Sequence, residues 1–241
     1  MSRSAYARGA ALVLFLTGAA FLLPAQAATA PAPKELTIEQ LFLQSVEFQI
    51  LREKAFSDDY DLKMSALDDL EKKIDTGATV GNDQQIEFVL EYLALEGSGH
   101  ITREEGRVIN NLPEVRRRSA NLLGRLGTPE AQNALLRVLI IDQEPVVQSE
   151  AAYALGEIGS NPDNEVLQAL VFAYQHQDPA KPDNNFAYAL TLAVEKLATK
   201  TAGGLKDPDA YRLLVNIAQG AYLRTVRAKA VQVLGELQAA K

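Results

Sequence analysis

One helical pattern occurs four times in the second half of this 241-residue chain. In residues 145–159, apolar side chains recur at the three- and four-residue intervals that place them on one side of an α-helix. Pro145 suits the first position of such a helix, and Gly159 suits the residue just after its end. The same wheel positions recur 32 residues earlier and 39 and 79 residues later, and nearly all are apolar. The four sets are Val115, Ser119, Leu122, Leu123 and Leu126; Val147, Ala151, Ala154, Leu155 and Ile158; Phe186, Leu190, Ala193, Val194 and Leu197; and Val226, Ala230, Val233, Leu234 and Leu237.

A second amphipathic helix follows each of the first three of these helices. The connecting turns carry Thr128-Pro129, Asn161-Pro162 and Asp207-Pro208, each a capping residue followed by proline at the first helical position. Two helices in each unit of 32 to 40 residues are typical of an α-solenoid. The sequence therefore predicts an all-α fold, a right-handed α-solenoid of about four helix pairs preceded by an N-terminal helical cap.

A second face of the helix at 145–159 carries only small side chains, Ser149, Ala152 and Gly156. Glycine inside a helix costs about 1 kcal/mol relative to alanine, so Gly156 indicates a packing reason. We expect another helix backbone to approach closely there. At the equivalent positions, Gly235 repeats the pattern but Glu195 breaks it, and we expect Glu195 to be paired or to face water.

The N-terminal half divides into three regions before the repeats at 113–241 begin. Residues 1–27 are predicted to be a signal peptide, with basic residues, an apolar run too short to span a membrane and an Ala-x-Ala cleavage site. Residues 28–36 form a short linker. Residues 37–112 are predicted to be a helical region with one degenerate repeat, including a short helix opened by a capping box of Thr102 and Glu105.

The repeated helices resemble HEAT repeats of the short subclass called PBS-lyase HEAT-like. The resemblance lies in Val115-Arg116 and in the stretches 151–159, 226–230 and 234–237. It covers about residues 113–241 and, weakly, 58–95. The pattern is typical of a fold and nearly silent on function, and Gln148 stands where the family pattern prefers arginine.

Family members that carry out chemistry are bilin lyase relatives and deoxyhypusine hydroxylases, which hold two irons through His-Glu pairs. This chain has two histidines, His100 and His176, followed by Ile101 and Gln177, so the iron motif is absent. Both activities are also cytoplasmic in the family, in conflict with a signal peptide. We therefore expect no enzyme activity, no cofactor and no metal site.

Two residue clusters invite other functions. Asp58, Asp59 and Asp61 lack the glycine and terminal glutamate of a calcium loop and suit a helix cap. Arginines between 103 and 125 form either a solvated surface or a site for an anion or acidic partner, and both interpretations stay open. The chain has no cysteine, which excludes disulfides and thiolate nucleophiles. A net charge of −7 argues against nucleic acid or anionic lipid as the main partner.

The exposed positions of the second helices are the candidate site, because stacked solenoids bind along the concave face that these helices line. The sequence predicts an exported, non-enzymatic scaffold that binds another protein there and is not inserted in the membrane after signal cleavage. The alternatives are an accessory or chaperone subunit of an envelope enzyme or lyase-like system, and an envelope component that self-assembles, with self-association through the C-terminal helix. Periplasmic or secreted localisation is expected in each case. The candidate protein-binding residues are Asn133, Arg137, Gln168, Phe172, Gln175, Arg212, Asn216 and Gln219.

Overall fold

A computed structural model describes residues 38–78, 83–201 and 205–239, with side chains from residue 45 onward. The chain divides into two compact units, residues 1–41 and residues 42–241. Of the first unit, only residues 38–41, the first turn of one helix, are described. The predicted signal peptide at 1–27 and linker at 28–36 lie outside the described residues.

Ten α-helices account for most of the described chain, with one 3-10 turn and one small hairpin. The helices are α1 (Ile38–Phe56), α2 (Tyr60–Asp75), α3 (Asp83–Leu95), α4 (Pro113–Leu126), α5 (Pro129–Ile141), α6 (Pro145–Ile158), α7 (Glu165–Gln175), α8 (Asn184–Lys200), α9 (Pro208–Gln219) and α10 (Arg224–Ala239).

The helices pack in two rows. In one row α2, α4, α6, α8 and α10 lie side by side, and in the other α3, α5, α7 and α9 do so. The chain alternates between the rows, which gives four helix pairs followed by the single helix α10. The predicted all-α solenoid of about four helix pairs is confirmed. We call α2, α4, α6, α8 and α10 the first helices, and α3, α5, α7 and α9 the second helices.

The end of α1 packs on α2 and supplies the predicted helical cap. Leu51 and Ala55 are buried, and Lys54 Nζ lies 2.8 Å from the Asp69 carboxylate. Between the rows the core is mainly aliphatic, and each fully buried valine, leucine or isoleucine stabilises the fold by about 1.5–3 kcal/mol. A continuous core of this kind explains why each unit depends on its neighbours.

Two of the three predicted cap-proline turns have the expected geometry. Thr128 Oγ1 accepts a hydrogen bond from the Ala131 amide at 3.1 Å, and Asp207 Oδ1 accepts one from the Asp209 amide at 2.8 Å. The third turn differs, because the 3-10 turn Pro162–Asn164 precedes α7. Asp163 and Asn164 have φ values of 48° and 61°, a left-handed conformation that these two residue types tolerate better than most.

The predicted short helix after Thr102 is wrong, because these residues form a β-hairpin. Strands β1 (Arg103–Glu104) and β2 (Arg107–Val108) pair antiparallel. The two turn residues, Glu105 and Gly106, have φ values of 48° and 81°, which is the backbone of the two-residue hairpin turn that glycine favours. Thr102 therefore caps no helix, and its amide donates to Asn110 Oδ1 at 2.9 Å.

The predicted close approach at Gly156 is confirmed. A Cβ atom added there would lie 2.7 Å from Ala193 Cα in α8, so only glycine fits without movement. Gly124 in α4 meets Ala154 of α6 in the same way, with 2.6 Å between the added Cβ and the Ala154 Cβ. Glu195 is paired, as one of the two expectations had it, because Lys229 Nζ lies 2.8 Å from its carboxylate.

Candidate protein-binding face

All eight predicted binding residues are exposed on three adjacent helices, α5, α7 and α9. Because these helices pack side by side in the same register, their exposed positions form rows that cross the helices. The first row is Asn133, Gln168 and Arg212; the second is Arg137, Phe172 and Asn216; Gln175 and Gln219 follow. We call the surface formed by these residues, together with the part of α3 described next, the second-helix face.

Helix α3 extends this face by two aromatic residues that the sequence analysis missed. Phe88 of α3 and Asn133 of α5 are equivalent, because each is an exposed residue between two pairs of buried ones. Four residues later, Tyr92 is therefore equivalent to Arg137. The Arg137 guanidinium contacts the Glu91 carboxylate, so α3 and α5 are bridged at the face itself. The signal that could have found Phe88 and Tyr92 is the repeat-like spacing of the apolar residues in α3.

Neighbouring rings fix the aromatic end of the face. Phe56 at the end of α1 meets Phe88 edge to face, with ring centroids 6.2 Å apart, and meets Tyr92 in the same manner at 4.6 Å. The His100 ring stacks on Tyr92 at 5.9 Å. Burial, together with the nearby carboxylates of Glu96 and Asp58, raises the pKa of Tyr92. Its hydroxyl therefore stays neutral at physiological pH.

Phe172 is the exposed aromatic residue at the centre of the face, with 42% of its surface accessible. The His176 ring stacks on it with centroids 3.8 Å apart, and His176 Nδ1 lies 2.8 Å from the Phe172 carbonyl oxygen. His176 is exposed, as expected for a loop histidine, but it also holds the Phe172 ring in place. An aromatic ring that is both exposed and immobilised is suited to binding a protein at low entropic cost.

The charged groups of the face neutralise one another. Arg137 contacts Glu91, and Arg212 Nη1 lies 2.9 Å from the Asp209 carboxylate. The remaining predicted positions, apart from Phe172, carry the amides of asparagine and glutamine, which both donate and accept hydrogen bonds. The face is therefore polar and aromatic, with little net charge.

The four arginines of α4 are engaged in ion pairs, which argues against these four as an anion or acidic-partner site. Arg116 is buried, with its Nε 2.6 Å from the Asp142 carboxylate and its Nη1 3.2 Å from the Glu96 carbonyl oxygen. Arg117, Arg118 and Arg125 contact carboxylates of α2, α4 and α6. Those carboxylates are Asp68, Glu71 and Asp75 of α2, Glu114 of α4 and Glu150 of α6.

Among the acidic residues at 58–61, Asp59 caps α2. Asp59 Oδ1 accepts hydrogen bonds from the amides of Asp61 and Leu62, at 2.8 and 3.0 Å. Within the described ranges, no group of three or more histidine and acidic side chains could hold a metal ion. None of the helices in those ranges is long and apolar enough to span a bilayer.

Comparisons with known proteins identify the repeats. A family model described as HEAT repeats matches residues 110–191. A solved structure, the complex of CpcE and CpcF of phycocyanin lyase from Nostoc sp. PCC7120, contains a chain with the same fold. The TM-score is 0.56 at 18% sequence identity, and the match covers 88% of this chain and 70% of the other. A search of curated proteins gives no match.

The rows of paired helices, the family match and the shared fold agree with one another. The close helix contacts at Gly124 and Gly156 join first helices of neighbouring repeats. Residues 110–191 match HEAT repeats, and the chain shares its fold with a chain of the phycocyanin lyase complex.

Proposed function

We propose that this protein is an exported, non-enzymatic HEAT-repeat scaffold that binds another protein through the second-helix face, which would be its concave surface. The observation that carries the proposal is the exposed Phe172 ring, stacked on His176 among uncharged amides. An apolar aromatic ring kept at the centre of a polar surface is typical of an interaction site.

Site-specific photo-crosslinking tests this proposal with a matched control. A photoreactive phenylalanine analogue placed at Phe172 reports on the second-helix face, and the same analogue at Tyr188 of α8 reports on the first helices. The two native side chains are 42% and 40% exposed, so the probes are equally accessible. We expect a discrete adduct from position 172 in native cells. An adduct from position 188 alone would move the binding site to the first helices and contradict the proposal.

Substitution of the face gives an independent test. The triple change Arg137→Ala, Phe172→Ala and Arg212→Ala removes exposed side chains only, so the circular dichroism spectrum should stay unchanged. Affinity for the crosslinked partner should fall by at least tenfold, since truncating a central aromatic residue alone costs about 2 kcal/mol at an interaction hot spot. Unchanged affinity would exclude this face as the binding site.

Export is proposed from the sequence of residues 1–27. Arg3 and Arg8 precede an uncharged run, and Ala25-Gln26-Ala27 fits a cleavage site. Mass spectrometry of the protein purified from its native cells should find Ala28 at the N-terminus. Cytoplasmic protein that keeps Met1 or begins at Ser2 would contradict export.

A second candidate function is self-assembly through α10. Leu223 and Val231 are 62% and 58% exposed, and a Cβ atom added at Gly235 would meet no atom within 4 Å. The equivalent surfaces of α4 and α6 are covered by the next first helix. Sedimentation would show self-association that Val231→Glu abolishes; a monomer at high micromolar concentration, unaffected by Val231→Glu, would exclude it.

The shared fold with a phycocyanin lyase complex favours a third candidate, an accessory or chaperone subunit of an envelope enzyme or lyase-like system. The photo-crosslinking experiment separates the candidates by the adduct that forms. An enzyme crosslinked at position 172 would support the accessory role, and a second copy of this chain crosslinked at position 231 would support self-assembly.

A further inference from the structure

The contact between the first helices α6 and α8 depends on one glycine and one small residue. A Cβ atom added at Gly156 of α6 would lie 2.7 Å from Ala193 Cα and 3.3 Å from Lys196 Cδ, both of α8. Ala193 and Lys196 are three residues apart, so they project from the same side of their helix. The side of α6 that receives α8 therefore accepts a small residue followed by a long basic one.

An ion pair completes this contact on its outer side. Lys196 Nζ lies 2.6 Å from the Glu157 carboxylate and 5.0 Å from the centre of the Tyr153 ring. Hydrogen bonds from Lys196 and from Tyr153 hold the pKa of Glu157 below its ordinary value, so this carboxylate is ionised at neutral pH. Glu157 is thus bonded by one residue of its own helix and by one basic residue of the next helix.

Helix α10 carries the same acceptor groups as α6. Gly235 and Glu236 follow the glycine and glutamate of α6 by 79 residues. Gln232 Nε2 donates a hydrogen bond to the Glu236 carboxylate at 2.8 Å, in the place of the tyrosine of α6. In the part of the chain that the structure describes, Glu236 has no ion pair with a basic side chain. The group that α10 lacks, by comparison with α6, is the lysine.

The side of α10 that corresponds to the α8-binding side of α6 is uncovered. Ala152 of α6 is fully buried, whereas Val231, the equivalent residue of α10, is 58% exposed. A Cβ atom added at Gly235 would meet no atom within 4 Å. Val231, Gly235 and Glu236 therefore form an exposed surface, which we call the α10 side, with an apolar residue, a glycine and a carboxylate in the positions that hold a helix elsewhere in the molecule.

A second copy of this chain does not offer a helix that fits the α10 side. Such a helix must expose a small residue and, three positions later, a lysine or arginine. Within the described helices, the pairs with this spacing are Ala134 with Arg137 and Ala193 with Lys196. Both alanines are buried inside their own molecule. The helix must therefore come from a different protein.

We propose that the α10 side binds a helix of another protein, with a small residue against Gly235 and a lysine or arginine three positions later against Glu236. The geometry of the contact is that of α8 on α6. This is a second binding surface, because it belongs to a first helix, whereas the second-helix face belongs to α3, α5, α7 and α9.

A library of helices tests the inference. The library is displayed on phage as one surface helix of a stable helical bundle, and it is selected in parallel on the purified wild-type protein and on Glu236→Lys. We expect the wild-type protein to enrich a small residue followed three positions later by lysine or arginine. We expect Glu236→Lys to enrich aspartate or glutamate at that second position, because the charge opposite it is reversed.

Substitutions measure how much each group contributes to binding. Binders selected on the wild-type protein should bind Glu236→Lys about tenfold more weakly, since an attraction is replaced by a repulsion. Gly235→Leu should have an effect of similar size, since it fills the space that the small residue occupies. Both positions are exposed, so the circular dichroism spectrum should stay unchanged. Glu130→Lys, at an exposed carboxylate of α5, is the control and should leave binding unchanged.

Each other outcome overturns the inference. The same charge preference on both proteins would mean that Glu236 does not contact the bound helix. Binders that tolerate Gly235→Leu and are lost with Phe172→Ala would lie on the second-helix face, and the proposed function would then stand without this second surface. A selection that enriches no helix family would exclude the α10 side, because the library contains every small and basic combination.

Sedimentation of the wild-type protein separates the two occupants of the α10 side. We expect a monomer in the absence of the selected helices. A dimer that Glu236→Lys dissociates would assign the α10 side to a second copy and overturn the inference. An absence of photo-crosslinked adducts from position 172 would count against the proposed function alone, since that position is on α7.

Discussion

The contacts among the first helices differ between the middle of the repeat region and its C-terminal end. Where α4 meets α6 and α6 meets α8, a glycine of one helix lies against an alanine of the next. Where α8 meets α10, Glu195 occupies the glycine position and an ion pair with Lys229 forms the contact. The next glycine in the series, Gly235 of α10, has no neighbour within 4 Å.

This difference indicates that the residue at one helix position decides how closely neighbouring repeats can pack. Glycine lets two helix backbones approach closely and gain dispersion contacts over their length. A glutamate at the same position requires space and a partner, and a partly exposed ion pair contributes at most about 1 kcal/mol. The contact at the C-terminal end should therefore be the weaker one.

The largest effect is expected from the core leucines at equivalent positions, Leu155 of α6 and Leu234 of α10. Leu155 is fully buried, whereas Leu234 is only partly buried. Leu155→Ala should lower the free energy of unfolding by about 2–5 kcal/mol, and Leu234→Ala by about 1–2 kcal/mol. Urea denaturation of both variants measures the difference. Equal losses would mean that α10 is packed as tightly as α6.

Substitution of the equivalent glycines should give effects of opposite sign. Gly156→Ala introduces a Cβ atom 2.7 Å from Ala193 Cα, and overpacking of that kind costs about 1–3 kcal/mol, more than the roughly 1 kcal/mol that alanine gains in a helix. Gly235→Ala meets no atom, so it should raise the free energy of unfolding by about 0.5–1 kcal/mol. Thermal melts followed by circular dichroism would show both. A stabilised Gly156→Ala variant would contradict the close contact.

The repeat architecture could be predicted because its signals are local and recur. Proline at the start of a helix, glycine at its end and apolar residues at helical spacing appear in α6, and all three have the predicted roles. The hairpin after Thr102 could not be separated from a helix start. Thr102 and Glu105 have the spacing of a capping box, while Glu105-Gly106 also suits a tight turn, and only the folded chain shows which prevails.

The candidate site could be predicted only in part, for a reason that depends on distance along the chain. The exposed positions of α5, α7 and α9 follow from helical periodicity, so the exposure of all eight residues could be predicted. Phe88 was missed because α3 lacks the cap-proline turn of the other second helices. The pairing of Arg118 with Glu71 joins residues 47 positions apart, and no local pattern reveals it.

A smaller effect is expected from the Glu195–Lys229 pair. The two side chains are about one-fifth exposed, and a double-mutant cycle with Glu195→Gln and Lys229→Met should give a coupling energy of about 0.5–1 kcal/mol. The coupling should decrease in 1 M salt, since screening weakens partly exposed pairs. The exposed pair Arg212–Asp209 of α9 is the control, with a smaller coupling energy. A coupling near zero would leave α8 and α10 joined by apolar contacts alone.

The smallest effect concerns the pH dependence of the α6–α8 contact. Hydrogen bonds from Lys196 and then Tyr153 hold the pKa of Glu157 below its ordinary value of about 4.3. Because the pKa is lower in the folded state, Glu157 stabilises the fold fully above its unfolded pKa, and the contribution is lost as the pH falls through the folded pKa. Glu157→Gln should therefore destabilise the protein slightly at pH 6, and by less at pH 3. Urea midpoints at the two pH values measure the change. Glu130→Gln, at an exposed position of α5, is the control. A destabilisation by Glu157→Gln that is as large at pH 3 as at pH 6 would mean that the residue acts through packing and not through its charge.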